Sequence, residues 1–334
     1  MARFALLVAV LAAFLITTAV CIVLIPLLGK LNLEHSLKYF RGERPRAHKK
    51  GVPTMGGLCI AVGMVFGVAL AWIGLRTIEP ALADIHQRYL LSLSLCTTLA
   101  FGVIGFADDT LCLAGGNRGL RLWHKLVLQT AIVTLFMVGL RAGGALDTGV
   151  VLPSLGYVDL GPWYYPCSYL LILCVVNSVD MTDGPDGLCC TLAFVAMAGL
   201  LAAYGMLNFF QLALFPAAVC GALLAFTLWN FAPARVLLGH TGGMLLGGAL
   251  CAAAYSIGWP GLLVLAGGVF LLEGVSLAAQ YLVYKMGKGR RLLPAAPLHR
   301  ALEAAGWSDV KITCALGAAG LTLALLAVLF VRVS

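Results

Sequence analysis

Apolar residues fall along this chain in long blocks separated by short polar stretches, and the length of a block decides what it can be. A helix that crosses a bilayer needs about 20 mainly apolar residues. Blocks of that order lie at 4–29, 55–79, 87–107, 121–141, 164–177, 188–204, 208–229, 236–257, 260–284 and 311–332. The pattern predicts about ten membrane helices and no soluble domain, so the chain reads as an all-α polytopic membrane protein with a single membrane-embedded domain over 1–334. Arg3 precedes the first block and Lys30 follows it, with no small-residue cleavage site between, which predicts a retained helix rather than a signal peptide.

Composition strengthens this reading. Of the 334 residues, 61% are hydrophobic and 11% charged, and the mean hydropathy is +0.99. Soluble domains carry about a quarter charged residues, so a soluble fold is excluded. The net charge of +8 changes the picture only through its placement. Lys30, Lys38, Arg41, Arg44, Arg46, Lys49 and Lys50 crowd the first inter-block loop, whereas 142–163 contains no Lys or Arg. Basic loops mark the cytoplasmic side. Assigning alternate loops inward gathers there all but Arg3, Arg76, Arg88, Arg141 and Arg332 of the 22 basic residues, with both termini outside. Topology thus accounts for the charge, and no nucleic-acid partner is needed. The eleven cysteines lie mostly within apolar blocks, lack C-x-x-C spacing and are odd in number, which fits small buried hydrophobes rather than a metal site or a disulfide framework.

The acids are where chemistry enters. Asp108 and Asp109 end a block that is apolar back to Leu90, and Asp180, Asp183 and Asp186 follow within Asn177-Ser-Val-Asp-Met-Thr-Asp-Gly-Pro-Asp-Gly-Leu188, where Gly184 and Pro185 interrupt a helix. Both clusters fall on the predicted cytoplasmic face. Carboxylates at a bilayer are costly and mark sites or pathways, and hard oxygen donors of this kind suit a magnesium ion held by one or two carboxylates together with substrate phosphates. Facing them are Lys49 and Lys50, Lys125 and the basic stretch from Lys285 to Arg300 with His299. Cations beside acids are the arrangement a diphosphate requires. A transport pathway would place its ionisable residues near the bilayer midplane; here they lie at the ends of blocks, apart from Glu273 within the ninth. The glycine-rich stretch Gly242–Gly248 superficially resembles a phosphate loop, but helix packing explains it at least as well.

Taken in order, Lys-Lys-Gly-Val-Pro-Thr-Met-Gly-Gly (49–57), Phe-Ala-Asp-Asp (106–109), Lys125, the 177–188 stretch, Gly-His-Thr-Gly-Gly (239–243) and Ala-Pro-Leu-His (296–299) with Glu303 and Gly306-Trp307 resemble the phospho-N-acetylmuramoyl-pentapeptide transferase family, within the wider superfamily of polyprenyl-phosphate sugar-1-phosphate transferases. The resemblance covers nearly the whole chain. It implies a ten-helix fold with a bent span near 260–284, a homodimer, and residence in the bacterial inner membrane. The implied reaction moves phospho-N-acetylmuramoyl-pentapeptide from its UDP carrier to undecaprenyl phosphate, releasing UMP, with magnesium as cofactor. Catalytic roles would fall to Asp108 as base, Asp109 and Asp183, and substrate contacts to Lys49, Thr54, Lys125, Asn177, Asp186, Asn230 and His299.

Several positions depart from the family pattern. Its magnesium-binding acid is His240 here, an Asn is Asp180, a Lys is Cys112, a uracil-stacking aromatic is Leu237, and a His run becomes His299-Arg300-Ala301. An imidazole suits magnesium less well than a carboxylate. An acid is lost at 240 and one gained at 180, which leads to the expectation that Asp180, with Asp183 and His240, serves the cation. Two competing expectations follow from the same departures: a folded paralogue without transferase activity, and a related transferase of altered sugar-nucleotide specificity.

Overall fold

The structure, a computed structural model, describes residues 2–30, 51–78, 84–114, 119–152, 156–287 and 291–333. Every predicted block is helical: α1 (Ala2–Lys30), α2 (Gly57–Ile78), α3 (Ile85–Ala114), α4 (Leu122–Ala142), α5 (Tyr164–Thr182), α6 (Leu188–Met206), α7 (Leu214–Asn230), α8 (Gly239–Ser256), α9 (Gly261–Ala266), α10 (Gly268–Met286) and α12 (Asp309–Val333). A short helix, α11 (Leu298–Ala304), lies between the last two. The ninth block is thus two helices, interrupted at Gly267. Among the described residues seven helices are long and apolar enough to cross a membrane: α1 to α6 and α12. The chain is a polytopic, largely helical membrane protein.

The other apolar helices miss that criterion for a physical reason, clearest in α8. Its sequence Gly-His-Thr-Gly-Gly-Met-Leu-Leu-Gly-Gly-Ala-Leu-Cys-Ala-Ala-Ala-Tyr-Ser is rich in glycine and alanine, and every residue but His240 is buried. A helix enclosed by other helices needs small residues for close approach rather than large apolar ones for lipid. Accordingly α8 packs against α3, α5 and α2, while α1 lies against α2 and α7, and α6 against α12 and α7. A methyl group at Gly247 would sit 2.7 Å from the Val176 Cα of α5, and one at Gly248 2.7 Å from the Phe101 ring of α3. The glycine-rich stretch is therefore a packing surface and not a phosphate loop.

The basic-free stretch 142–163, read from sequence as a plain loop, contains a two-stranded antiparallel ribbon, β1 (Gly149–Leu152) and β2 (Gly156–Asp159), with Gly149 opposite Asp159. Asp159 accepts hydrogen bonds from the Thr148 hydroxyl (2.6 Å) and the Gly161 amide (2.9 Å). These bonds, the Thr148 one first, hold its carboxyl below the usual carboxylate range.

Candidate active site

The acids converge at the ends of α3 and α5, where the start of α8 meets them. Asp109 is nearly fully buried at the end of α3 and faces the first turn of α8. Its Oδ1 accepts the His240 amide (3.1 Å), and its Oδ2 accepts the Thr241 amide (2.8 Å) and hydroxyl (2.6 Å). Asp183, just past α5, accepts the Gly239 amide on Oδ2 (3.1 Å). A helix begins with four amides that have no partner within the helix and with positive dipolar character. At α8 three consecutive amides of that end are taken by two carboxylates, one from α3 and one from the residue just past α5.

The chain enters α8 through Gly239 at φ 73°, a left-handed conformation that costs an L-residue about 1–2 kcal/mol. A methyl group there would lie 2.6 Å from the Thr54 hydroxyl and 2.8 Å from Asp109 Oδ2. Thr54 reaches this point because the 53–57 segment pairs with the end of the preceding loop: Leu237 N donates to Pro53 O (2.8 Å), Gly56 N to Leu237 O (2.9 Å) and Gly57 N to Leu238 O (3.1 Å). The Thr54 hydroxyl is buried and makes no hydrogen bond among the described residues. Gly239→Ala is expected to lower stability by at least about 1–2 kcal/mol from backbone strain alone and to displace Thr54. Thermal unfolding in detergent measures it, and an unchanged midpoint would contradict this account.

The second half of the site is an ionic chain. The Lys125 ammonium, from the first turn of α4, lies 3.2 Å from Asp108 Oδ2 and 2.8 Å from Asp180 Oδ2. Asp108 Oδ1 accepts the Leu120 amide (2.7 Å), which ties the start of α4 to the end of α3. Asp180 Oδ1 faces His240 Nδ1 at 2.9 Å. Side-chain exposure grades outward along the chain: 5% for Asp180, 11% for Lys125 and 34% for His240. The acid is the most enclosed of the three and the imidazole the most exposed.

Asp108, Asp109, Thr54, Lys125, Asp180, Asp183 and His240 thus come together. The remaining candidates go elsewhere. Asn177 forms a reciprocal amide pair with Gln129 of α4 (2.9 and 3.3 Å), one turn before Asp180. Asn230 ends α7 and donates to Val236 O (2.9 Å), closing the 231–238 loop. Asp186 accepts the Ala234 amide (2.9 Å), and its own amide donates to Asp309 (3.0 Å), so it fastens the 183–187 turn to that loop and to α12. His299 is fully buried: its amide and Nδ1 meet Glu273 of α10 at 3.1 Å each, and its imidazole packs against Gly184. Lys49 lies outside the described residues. Glu273, the lone acid within an apolar block, is therefore explained by a partner in α11. Sequence reasoning had no signal for the Leu120 and Gly239 amides or the Thr241 hydroxyl.

Magnesium prefers a near-octahedral set of oxygens with several waters retained, and the donor set does not fit a resident ion of this kind. Both oxygens of Asp108, Asp109 and Asp180 and one of Asp183 are engaged by donors of the chain itself. His240 meets Asp180 directly instead of sharing a ligand with it. Among the described residues no three His, Cys, Asp or Glu side chains gather as metal ligands.

A buried acid pair, an ammonium and a helix start come together at the ends of membrane helices, and residues 90–258, which include them, match the family model described as glycosyl transferase family 4. Among curated proteins, the phospho-N-acetylmuramoyl-pentapeptide-transferase of Halalkalibacterium halodurans is 35% identical over 327 residues, covering 97% of this chain and 96% of that one. The enzymes of the same name from Geobacillus kaustophilus (36% over 336 residues, 97% of each chain) and Shouchella clausii (35% over 311 residues, 91% and 90%) are similar. The chain belongs to the phospho-N-acetylmuramoyl-pentapeptide-transferase family.

Proposed function

We propose that this protein transfers phospho-N-acetylmuramoyl-pentapeptide from its UDP carrier to undecaprenyl phosphate in the bacterial inner membrane, releasing UMP and forming the first lipid-linked peptidoglycan precursor. The observation that carries this reading is the Lys125 ammonium held between Asp108 and Asp180 at the ends of three membrane helices. At that level a lipid-borne phosphate and a cytosolic nucleotide can meet.

In the reaction an oxygen of the lipid phosphate forms a bond to the sugar-bearing phosphorus. The phosphoanhydride bond breaks, and its electron pair leaves with UMP. Asp108 takes the proton of the lipid phosphate, and Lys125 stabilises charge on the transferring phosphoryl group. An ammonium has three N–H donors, of which Asp108 and Asp180 engage two; the third serves the phosphate. Asp109 and Asp183 hold the start of α8 and so set the positions of Gly239 and His240. Thr54 and Lys49 contribute on the phosphate side. Asn177, Asn230, Asp186 and His299 support the nucleotide and sugar sites through the helix and loop contacts described above. Magnesium is the cofactor the resemblance implies, and the donors as they are arranged here do not fit it. A homodimer with both termini outside completes the proposal.

UMP release by purified protein, given undecaprenyl phosphate and the uridine-linked muramoyl-pentapeptide, tests the function. Wild-type release that falls by a factor of about 100 to 10,000 in Asp108→Asn, the range a general base contributes, is the expected result. No release by the wild type under any metal condition would favour a non-catalytic member of the family.

A further inference from the structure

We propose that Gln129 is a positioning residue for the transfer reaction: paired with Asn177, it fixes the start of α4 against α5, so that the Lys125 ammonium stays between Asp108 and Asp180. The inference rests on the reading of Lys125 as the group that meets the transferring phosphate, and it adds what holds that group in place.

The burial pattern of α4 shows why such a device is needed. Its buried residues are Lys125, Gln129, Val133, Phe136, Met137 and Leu140, a single stripe at helical spacing. Leu122, Trp123, Val127 and Leu128, on the other faces of its first turns, are exposed. Before Val133 the helix has no buried apolar side chain, and Lys125 and Gln129 are its only buried residues there. The end of α4 that carries the ammonium is therefore fastened to its neighbours mainly by polar groups.

Residues three or four apart share a helical face, so Gln129 stands one turn beyond Lys125 on α4, and Asn177 one turn before Asp180 on α5. Two successive rungs join the helices: Lys125 to Asp180 at 2.8 Å, and Gln129 to Asn177 in both directions, at 2.9 and 3.3 Å. The rungs differ in kind. An ammonium on a flexible four-carbon stem reaches its partners from several helix positions. A reciprocal amide pair makes two directed bonds, which set both the height and the rotation of one helix on the other. Gln129 is fully buried, and an amide left unpaired there is costly, so the helices keep the register in which the pair closes. Asn177 has no N–H left for a substrate: its nitrogen donates to Gln129 Oε1 and to Leu173 O (2.8 Å). It acts through α4 and not by touching the nucleotide sugar.

The test uses the full-length protein in detergent and the double variant Gln129→Met with Asn177→Leu, which replaces both amides by apolar groups of similar size. Replacing both partners of a buried hydrogen bond in this way is nearly neutral for stability, so the unfolding midpoint should match the wild type while the directed bonds are gone. Hydrogen–deuterium exchange at the backbone amides of 125–130 should speed up about tenfold, or about 1.4 kcal/mol, as expected for the loss of an interhelical bond of this kind, with α6 unchanged. In steady-state UMP release, kcat should fall by about tenfold to a hundredfold, as a misplacement of about 1 Å can cause, while KM for the uridine-linked muramoyl-pentapeptide stays the same. Gln129→Asn, which keeps the amide but shortens its reach by one methylene, should show both changes at smaller size and decides the matter if the double variant does not fold. Unchanged kcat, unchanged exchange at 125–130, or a raised KM with kcat retained, as direct substrate contact by Asn177 would give, would each overturn the proposal. Absence of UMP release from the wild type would instead remove the transferase reading; faster exchange at 125–130 would then leave the hold of the pair on α4 standing, and unchanged exchange would overturn it.

Discussion

Lys125→Met is expected to be the most damaging single substitution in the site, lowering stability by about 3–5 kcal/mol, the cost of removing one partner from a buried ionic group, and eliminating UMP release. Methionine preserves the length and apolar body of the lysine stem but removes the charge that lies 3.2 Å from Asp108 and 2.8 Å from Asp180. Two carboxylates that now share one ammonium would then face each other uncompensated in a poorly solvated pocket. The contacts also predict the repair. Removing one of the two charges, in Lys125→Met with Asp180→Asn, should recover part of the stability because the sites are coupled, while activity stays absent because the phosphate has lost its cation. Thermal and denaturant unfolding in detergent, read beside UMP release, separate the two effects. If the single variant unfolds like the wild type, the ionic chain is not buried as described.

Asp109→Ala should follow closely. The carboxylate holds the His240 and Thr241 amides and the Thr241 hydroxyl, so its loss removes a helix cap worth about 0.5–2 kcal/mol. It also leaves buried donors without partners, at about 1–3 kcal/mol each when nothing replaces the bond. Together the two losses are expected to come to about 3 kcal/mol. The same change loosens the backbone of His240, and misplacement of about 1 Å can cost a hundredfold in rate. Asp109→Asn, whose amide oxygen still accepts one bond, should fall between the wild type and Ala in both measurements. A stable Asp109→Ala protein with full turnover would mean that α8 starts without this carboxylate.

These predictions depend on contacts that no stretch of the chain displays. Block length and charge placement lead to the membrane fold because each is a property of local composition: about 20 apolar residues suffice to cross a bilayer whatever their neighbours are. The same reasoning finds Asp108, Asp109, Asp180 and Asp183, since a carboxylate at the end of an apolar block stands out wherever it occurs. It does not separate their tasks. Asp108 and Asp109 are adjacent in sequence, yet one meets Lys125 and the other the start of α8, because successive helical residues point about 100° apart and face different neighbours. Asp186 has the same spacing signal as Asp183 but turns toward Ala234 and Asp309.

What the sequence determined by itself is the membrane class, the placement of the helical blocks and the set of acids that could carry phosphoryl chemistry. Tertiary structure alone decided which groups pair. His240 meets Asp109 from 131 positions away and Asp180 from 60, and His299 meets Glu273 across 26. It also made α8, too glycine-rich to look like a lipid-facing span, a helix enclosed among the others, and it divided the block near 260–284 at Gly267. The reason is the same in each case. Burial in lipid is set by the residues of one segment, whereas the partner of a buried charge is set by which helices pack side by side, at distances along the chain that local composition does not encode.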